Sequence, residues 1–208
     1  MTEKDNELDT AELLHFLEQE VIGLTRYWKT FLDLYGESEE RVGFLAYVGP
    51  DFFETIHFAL RDAIVMGIGR LVDRPGSGDR KNASFPRLMK GLDKTIEEST
   101  IEKAEGLLKK IESLAKPINE TRNKHIGHSD VDTIQGTYEV SPVLIDNAEE
   151  CLRLMQNLLN TLSGALIGHT TVYDAVQPGS VEIVLGYLKR GVEVKQRWDF
   201  RFRGRARE

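Results

Sequence analysis

Four long stripes of apolar residues at helical spacing constrain this chain more than any other feature. Leu13, Leu17, Val21, Leu24, Trp28, Phe31 and Tyr35 fall three or four positions apart. On a helix of 3.6 residues per turn that spacing makes one face. Phe52, Ile56, Leu60, Ile64, Gly67 and Leu71 make a second stripe. Ile101, Ala104, Leu108, Ile111, Ala115 and Ile118 make a third, with Pro117 inside it as an expected kink. Ala148, Cys151, Leu152, Met155, Leu159, Leu162 and Leu166 make a fourth, opened by Ser141-Pro142 and ending near Gly168. Each helix must bury one face. The economical solution is an antiparallel four-helix bundle, spanning residues 1–170.

The connections carry weaker signals. Gly36-Glu37-Ser38-Glu39-Glu40 interrupts the first stripe, and Val42–Val48 shows no decisive pattern. Gly49-Pro50-Asp51 predicts a helix start capped by Asp51, with Glu54 placed for a capping box. Asp73–Asp79 reads as a mobile loop; its glycines lack the strand-to-helix setting of a phosphate cradle. Ser84-Phe85-Pro86 predicts the start of a short helix holding Leu88, Met89 and Leu92.

Beyond Thr170 the pattern changes. Val181–Leu188 is rich in β-branched residues, Lys189-Arg190-Gly191 can turn the chain, and Val192–Lys195 alternates apolar and polar. That predicts a C-terminal β-hairpin followed by a basic tail, together residues 171–208. The tail sets five arginines, among them Arg201, Arg203 and Arg205, around Trp198, Phe200 and Phe202. Such a run can contact phosphates and stack on bases. Its alternation equally describes an edge strand with arginines facing water.

Charge and cysteine usage narrow the setting. The net charge of −7 does not favour nucleic acid in general, so any attraction must come from a local basic patch. The single cysteine, Cys151, excludes a disulfide framework. Met1–Thr10 is polar, and no apolar run approaches the roughly 20 residues that span a bilayer. The expectation is a cytoplasmic protein with no membrane partner.

The densest run of chemically capable side chains is Arg122-Asn123-Lys124-His125-Ile126-Gly127-His128-Ser129-Asp130. The third stripe, continued in steps of four, reaches Arg122 and then Ile126, with the helix expected to run over 101–126. Arg122 therefore takes an inward-facing edge position, where a charge needs a partner or a ligand. Arginine clamps phosphate with a rigid fork, and histidine exchanges a proton near neutral pH. Asn123 and Asp130 can hold the two by hydrogen bonds. Breaking a ribose-phosphate chain needs these functions: a proton off the 2′-hydroxyl, a proton onto the leaving oxygen, and neutralised charge at phosphorus. His125 and His128 lack the two further ligands of a zinc site, so no metal is expected. His15, His57 and His169 read as packing or surface residues.

Arg122-Asn123, four residues, then His128 resembles the signature of the HEPN superfamily. The position matches too, at the end of the third long helix of a four-helix bundle. The longer run to Asp130 is similar to the branch related to abortive-infection phage-defence (AbiU-like) proteins. So are Leu60-Arg61-Asp62-Ala63, Gly69-Arg70-Leu71-Val72-Asp73 and Asn82-Ala83-Ser84-Phe85. The resemblance covers roughly residues 10–170. It implies a metal-independent endoribonuclease without cofactors. Arg122 and His128 would be the catalytic pair, Asn123 would orient them, and Lys124, His125 and Asp130 would support them. It implies a homodimer that brings two motifs to one cleft, RNA as partner, and a toxin or defence role with a possible antitoxin protein. The other reading is a non-catalytic HEPN module that binds RNA, a nucleotide or a partner protein.

Overall fold

The structure, a computed structural model, describes residues 9–36, 38–77, 80–92, 96–123, 143–178 and 180–203. Its helices are α1 (Thr10–Phe31), α2 (Glu39–Val48), α3 (Pro50–Leu71), α4 (Phe85–Lys90), α5 (Glu98–Thr121), α6 (Val143–Leu166) and α7 (Val181–Arg203). A π-helical turn, Leu32–Gly36, extends α1, and a 3-10 turn spans Tyr173–Ala175. Strands β1 (Gly76–Ser77) and β2 (Arg80–Lys81) form a two-residue antiparallel ladder. It stands where a mobile loop was expected.

Helices α1, α3, α5 and α6 form the bundle. Its core holds Leu14, Leu17 and Val21 of α1, Ile68 of α3, Ile111 and Ile118 of α5, and Met155 and Leu159 of α6. Cross-helix contacts fix the directions. Phe31 meets His57 and Arg70 reaches Glu20, so α1 and α3 are antiparallel. Ser163 bonds Glu18 and Gln156 bonds Thr25, so α1 and α6 are antiparallel. Gly67 lets α3 approach α1 closely: a Cβ there would stand 2.2 Å from Leu24 Cδ2.

The second stripe begins one residue later than its spacing suggested. Phe53 is buried, whereas Phe52 is 63% exposed. The reason is packing: Phe53 is the ring that meets Leu34, Leu45, Val181 and Leu185. At the helix start Gly49, not Asp51, is the N-cap, and Pro50 takes the first turn. No side chain caps this end, so the expected Asp51–Glu54 capping box is absent. The undecided stretch after Gly36 is α2, whose N-cap Ser38 accepts from the Arg41 amide at 3.1 Å.

The C-terminal hairpin is corrected to helix α7. Val181 and Leu185, one turn apart, are buried with Leu34, Leu45 and Phe53, and Leu188 packs at the edge of this second cluster. A spacing of four and then three fits a helix and no strand. Arg41 adds an ion pair, 2.8 Å from Glu182. Because the helical backbone continues to Arg203, the edge-strand reading of the basic tail falls with the hairpin. Among the described residues, no helix is long and apolar enough to cross a membrane.

Candidate functional site

The site sits where α5 ends beside the end of α3. Helix α5 stops at Thr121, earlier than the stripe suggested, and Arg122 and Asn123 continue in a wider turn. The Arg122 amide still donates to the carbonyls of Ile118 and Asn119, which keeps this turn attached to the helix.

Arg122 lies on the inward edge, its side chain 18% exposed. Its partner is Asp73, just past the end of α3. Arg122 Nη1 donates to Asp73 Oδ2 at 3.2 Å, and Nη2 donates to Asp73 Oδ1 at 3.1 Å. This is the end-on fork, one carboxylate oxygen for each terminal nitrogen. The Nε side of the guanidinium faces elsewhere. Nε donates a long bond, 3.4 Å, to Asn123 Oδ1.

The guanidinium lies against backbone. Gly69 is buried in α3, and a Cβ built there would stand 2.7 Å from Arg122 Nη1, 2.8 Å from Arg122 Cδ and 2.6 Å from Asn119 Oδ1. Only a residue without a side chain leaves that seat open. Asn119 Oδ1 is itself buried and without a hydrogen-bond partner among the described residues. The arrangement holds a flat cation against α3, its two terminal nitrogens on Asp73 and its Nε on a long bond to Asn123. Chemically, the Nε edge can take one oxyanion.

Of the residues singled out from the sequence, Arg122 and Asn123 are adjacent and bonded. Lys124, His125, His128 and Asp130 lie outside the described residues, as does Arg205. Arg201 and Arg203 lie on the last turn of α7. Asp73, Gly69 and Asn119 had no assigned role in the sequence reading. Two signals pointed their way: Arg122 required a buried-edge partner, and Gly69 and Asp73 bound the Gly69–Asp73 stretch that carried the resemblance.

Two other polar assemblies are closed by the fold. Glu18 is 3% exposed and accepts from the Ser163 hydroxyl at 2.5 Å inside the bundle. Lys29 Nζ donates to the carbonyls of Asp174 and Val176, each at 2.9 Å, pinning the 3-10 turn to α1. His57 stands among Phe31, Tyr35 and Phe58. Burial lowers its pKa, the neighbouring Arg61 lowers it further, and Glu54 opposes them. Cys151 is fully buried, and that burial pushes its thiol up to about 12. It is a core residue with no reactive thiolate.

No curated protein and no solved structure matches the chain. A family model does, the HEPN model described as AbiU2, over residues 7–185. The match takes in the four bundle helices, Asp73, Arg122 and the whole Arg122–Asp130 run. It ends inside α7, at Leu185. The chain belongs to the AbiU2 family of the HEPN superfamily, in its abortive-infection branch.

Proposed function

We propose that the protein is a metal-independent endoribonuclease acting in phage defence, with Arg122 and His128 as its working pair. The observation that carries this reading is Arg122 itself. A cation is held at a half-buried edge by a carboxylate on one side, with its Nε side turned away from that carboxylate. Arg122 neutralises the charge that develops at phosphorus. His128 takes the proton from the 2′-hydroxyl or returns one to the leaving oxygen. The ordinary histidine pKa near 6.5 suits either role at neutral pH. Asn123, bonded to Arg122 Nε, sets that edge.

One histidine per motif cannot be base and acid at once, so the active species is a homodimer with two motifs in one cleft. Arginines on the last turn of α7 add affinity without chemistry. Replacing Arg201 and Arg203 with alanine should flatten the salt dependence of RNA binding by up to about two units of slope.

The test is cleavage of total RNA and of tRNA in EDTA. The expected product ends in a 2′,3′-cyclic phosphate, and His128→Ala should abolish its formation. Equal cleavage by the variant refutes the assignment. Tight RNA binding without cleavage by the unaltered protein favours a binding module instead. Light scattering should give a dimer at micromolar concentration, and a monomer counts against the shared cleft.

A further inference from the structure

We propose that Asp73 is the positioning residue of this site: it fixes the plane of the Arg122 guanidinium so that the Nε–Nη2 edge faces a single phosphate. Three observations meet here. The Asp73 carboxylate spends one oxygen on each terminal nitrogen, at 3.2 and 3.1 Å, so it holds the group in a plane. Gly69 gives the guanidinium a seat against the α3 backbone that a methyl group would fill, 2.7 Å from Nη1. Asn119 Oδ1 closes the same seat from α5, 2.6 Å from that point. The group is thus bounded by α3 on one side and by Asp73 at its tip. Guanidinium geometry does the rest: a carboxylate end-on at Nη1 and Nη2 leaves the Nε and second Nη2 protons on another edge, parallel and spaced for a second oxyanion, whose oxygen would replace the long 3.4 Å bond from Nε to Asn123 Oδ1.

Asp73 does not touch the phosphate in this arrangement. It acts through Arg122, and its effect belongs in the turnover step, where misplacing a charged group by about 1 Å costs up to a hundredfold. The opposite role has the opposite sign. Were the carboxylate a competitor that blocks Arg122, removing its charge would strengthen phosphate binding and raise activity.

The kinetic arm rests on the nuclease reading above; the spectroscopic arm does not. In the full-length protein, Asp73→Asn should lower kcat about tenfold to a hundredfold while KM moves less than about threefold, with Tm nearly unchanged. Gly69→Ala, which evicts the guanidinium while keeping Asp73, should do the same. Unchanged or raised turnover in Asp73→Asn overturns the proposal. Nitrogen-15 NMR of the Arg122 side chain, assigned by its loss in Arg122→Lys, supplies the second arm. The unaltered protein should show hindered rotation about the Cζ bonds, with separate Nη proton signals, and Asp73→Asn should merge them. A freely rotating Arg122 in the unaltered protein overturns the proposal even where a variant fails to fold. If the unaltered protein cleaves no RNA but the NMR result holds, the nuclease reading fails and the positioning role of Asp73 stands.

Discussion

The two halves of α3 differ in what lies beside their buried side chains. Its first half carries bulk: Phe53 is buried, and His57 and Phe58 join a ring cluster with Phe31 and Tyr35 of the first helix and its extension. Tyr35 also donates its hydroxyl to the Phe53 carbonyl at 2.7 Å. Its second half sends Ile64, Val65, Ile68 and Leu71 into the bundle core but leaves two gaps among them: Gly67 admits Leu24, and Gly69 admits Arg122. One end gains stability by filling space. The other fills the core as well but leaves space at its two glycines, so that a leucine and a charged group can rest against backbone. One stretch of helix can thus serve as core and as the wall of a site at once, about 18 Å from the His57 ring cluster at 1.5 Å per residue.

The contrast should show as a separation of stability from activity. Phe31→Ala attacks the bulky end, where the ring is 7% exposed. Unfolding in urea should show a loss of about 3–5 kcal/mol, with cleavage per folded molecule unchanged. A parallel loss of specific activity would mean that the two ends are coupled. Arg122→Ala attacks the open end. Cleavage should fall about 10²–10³-fold, the cost of removing one preorganised charge-stabilising group. The same variant should lose less than about 1 kcal/mol of stability, because its partner Asp73 is one-third exposed and regains water. A large drop in stability there would make the pair structural and blur the contrast.

Gly67→Ala tests whether the glycine gap of α3 that faces α1, away from the site, tolerates bulk. The new methyl would meet Leu24 Cδ2 at 2.2 Å. Leu24 must change rotamer or α3 must move outward, at a cost of roughly 1–3 kcal/mol read by thermal unfolding. Tm unchanged from the unaltered protein would show that the close α1–α3 approach is not a constraint.

These features were unequally legible in the sequence. The bundle was, because large apolar residues at a period of 3.6 leave few ways to be buried together. The α7 helix was not. Val181–Leu188 is locally strand-like, and what selects the helix is distant: Leu34, Leu45 and Phe53 bury Val181 and Leu185. Strand propensity is mostly a preference for a kind of surface, and the surface here was a helical groove. At the site, the stripe put Arg122 on an inward edge and so required a partner. It could not say which, because Asp73 lies 49 residues away and reaches Arg122 only once α3 and α5 have packed.

The smallest expected effect probes the bulky end through pH. His57 has its pKa lowered, first by burial among the rings and then by Arg61, with Glu54 pulling weakly the other way. The folded form therefore binds the proton less readily than the unfolded form, whose value is near 6.5. Above that value both forms are neutral at this residue and its contribution to stability is fully present. As pH falls below it, the unfolded chain takes up a proton that the folded chain refuses, so stability declines until the folded value is passed. His57→Phe keeps a ring in the cluster and removes the titration. Urea unfolding at pH 7.5, 6.5, 5.5 and 5.0 should show a shallower acid decline in the variant than in the unaltered protein. The difference should grow through the window just below 6.5 and be absent at 7.5. Parallel curves would mean that the ring cluster is open enough to solvent for His57 to titrate as it does in the unfolded chain, and the bulky end would then be less closed than its ring contacts indicate.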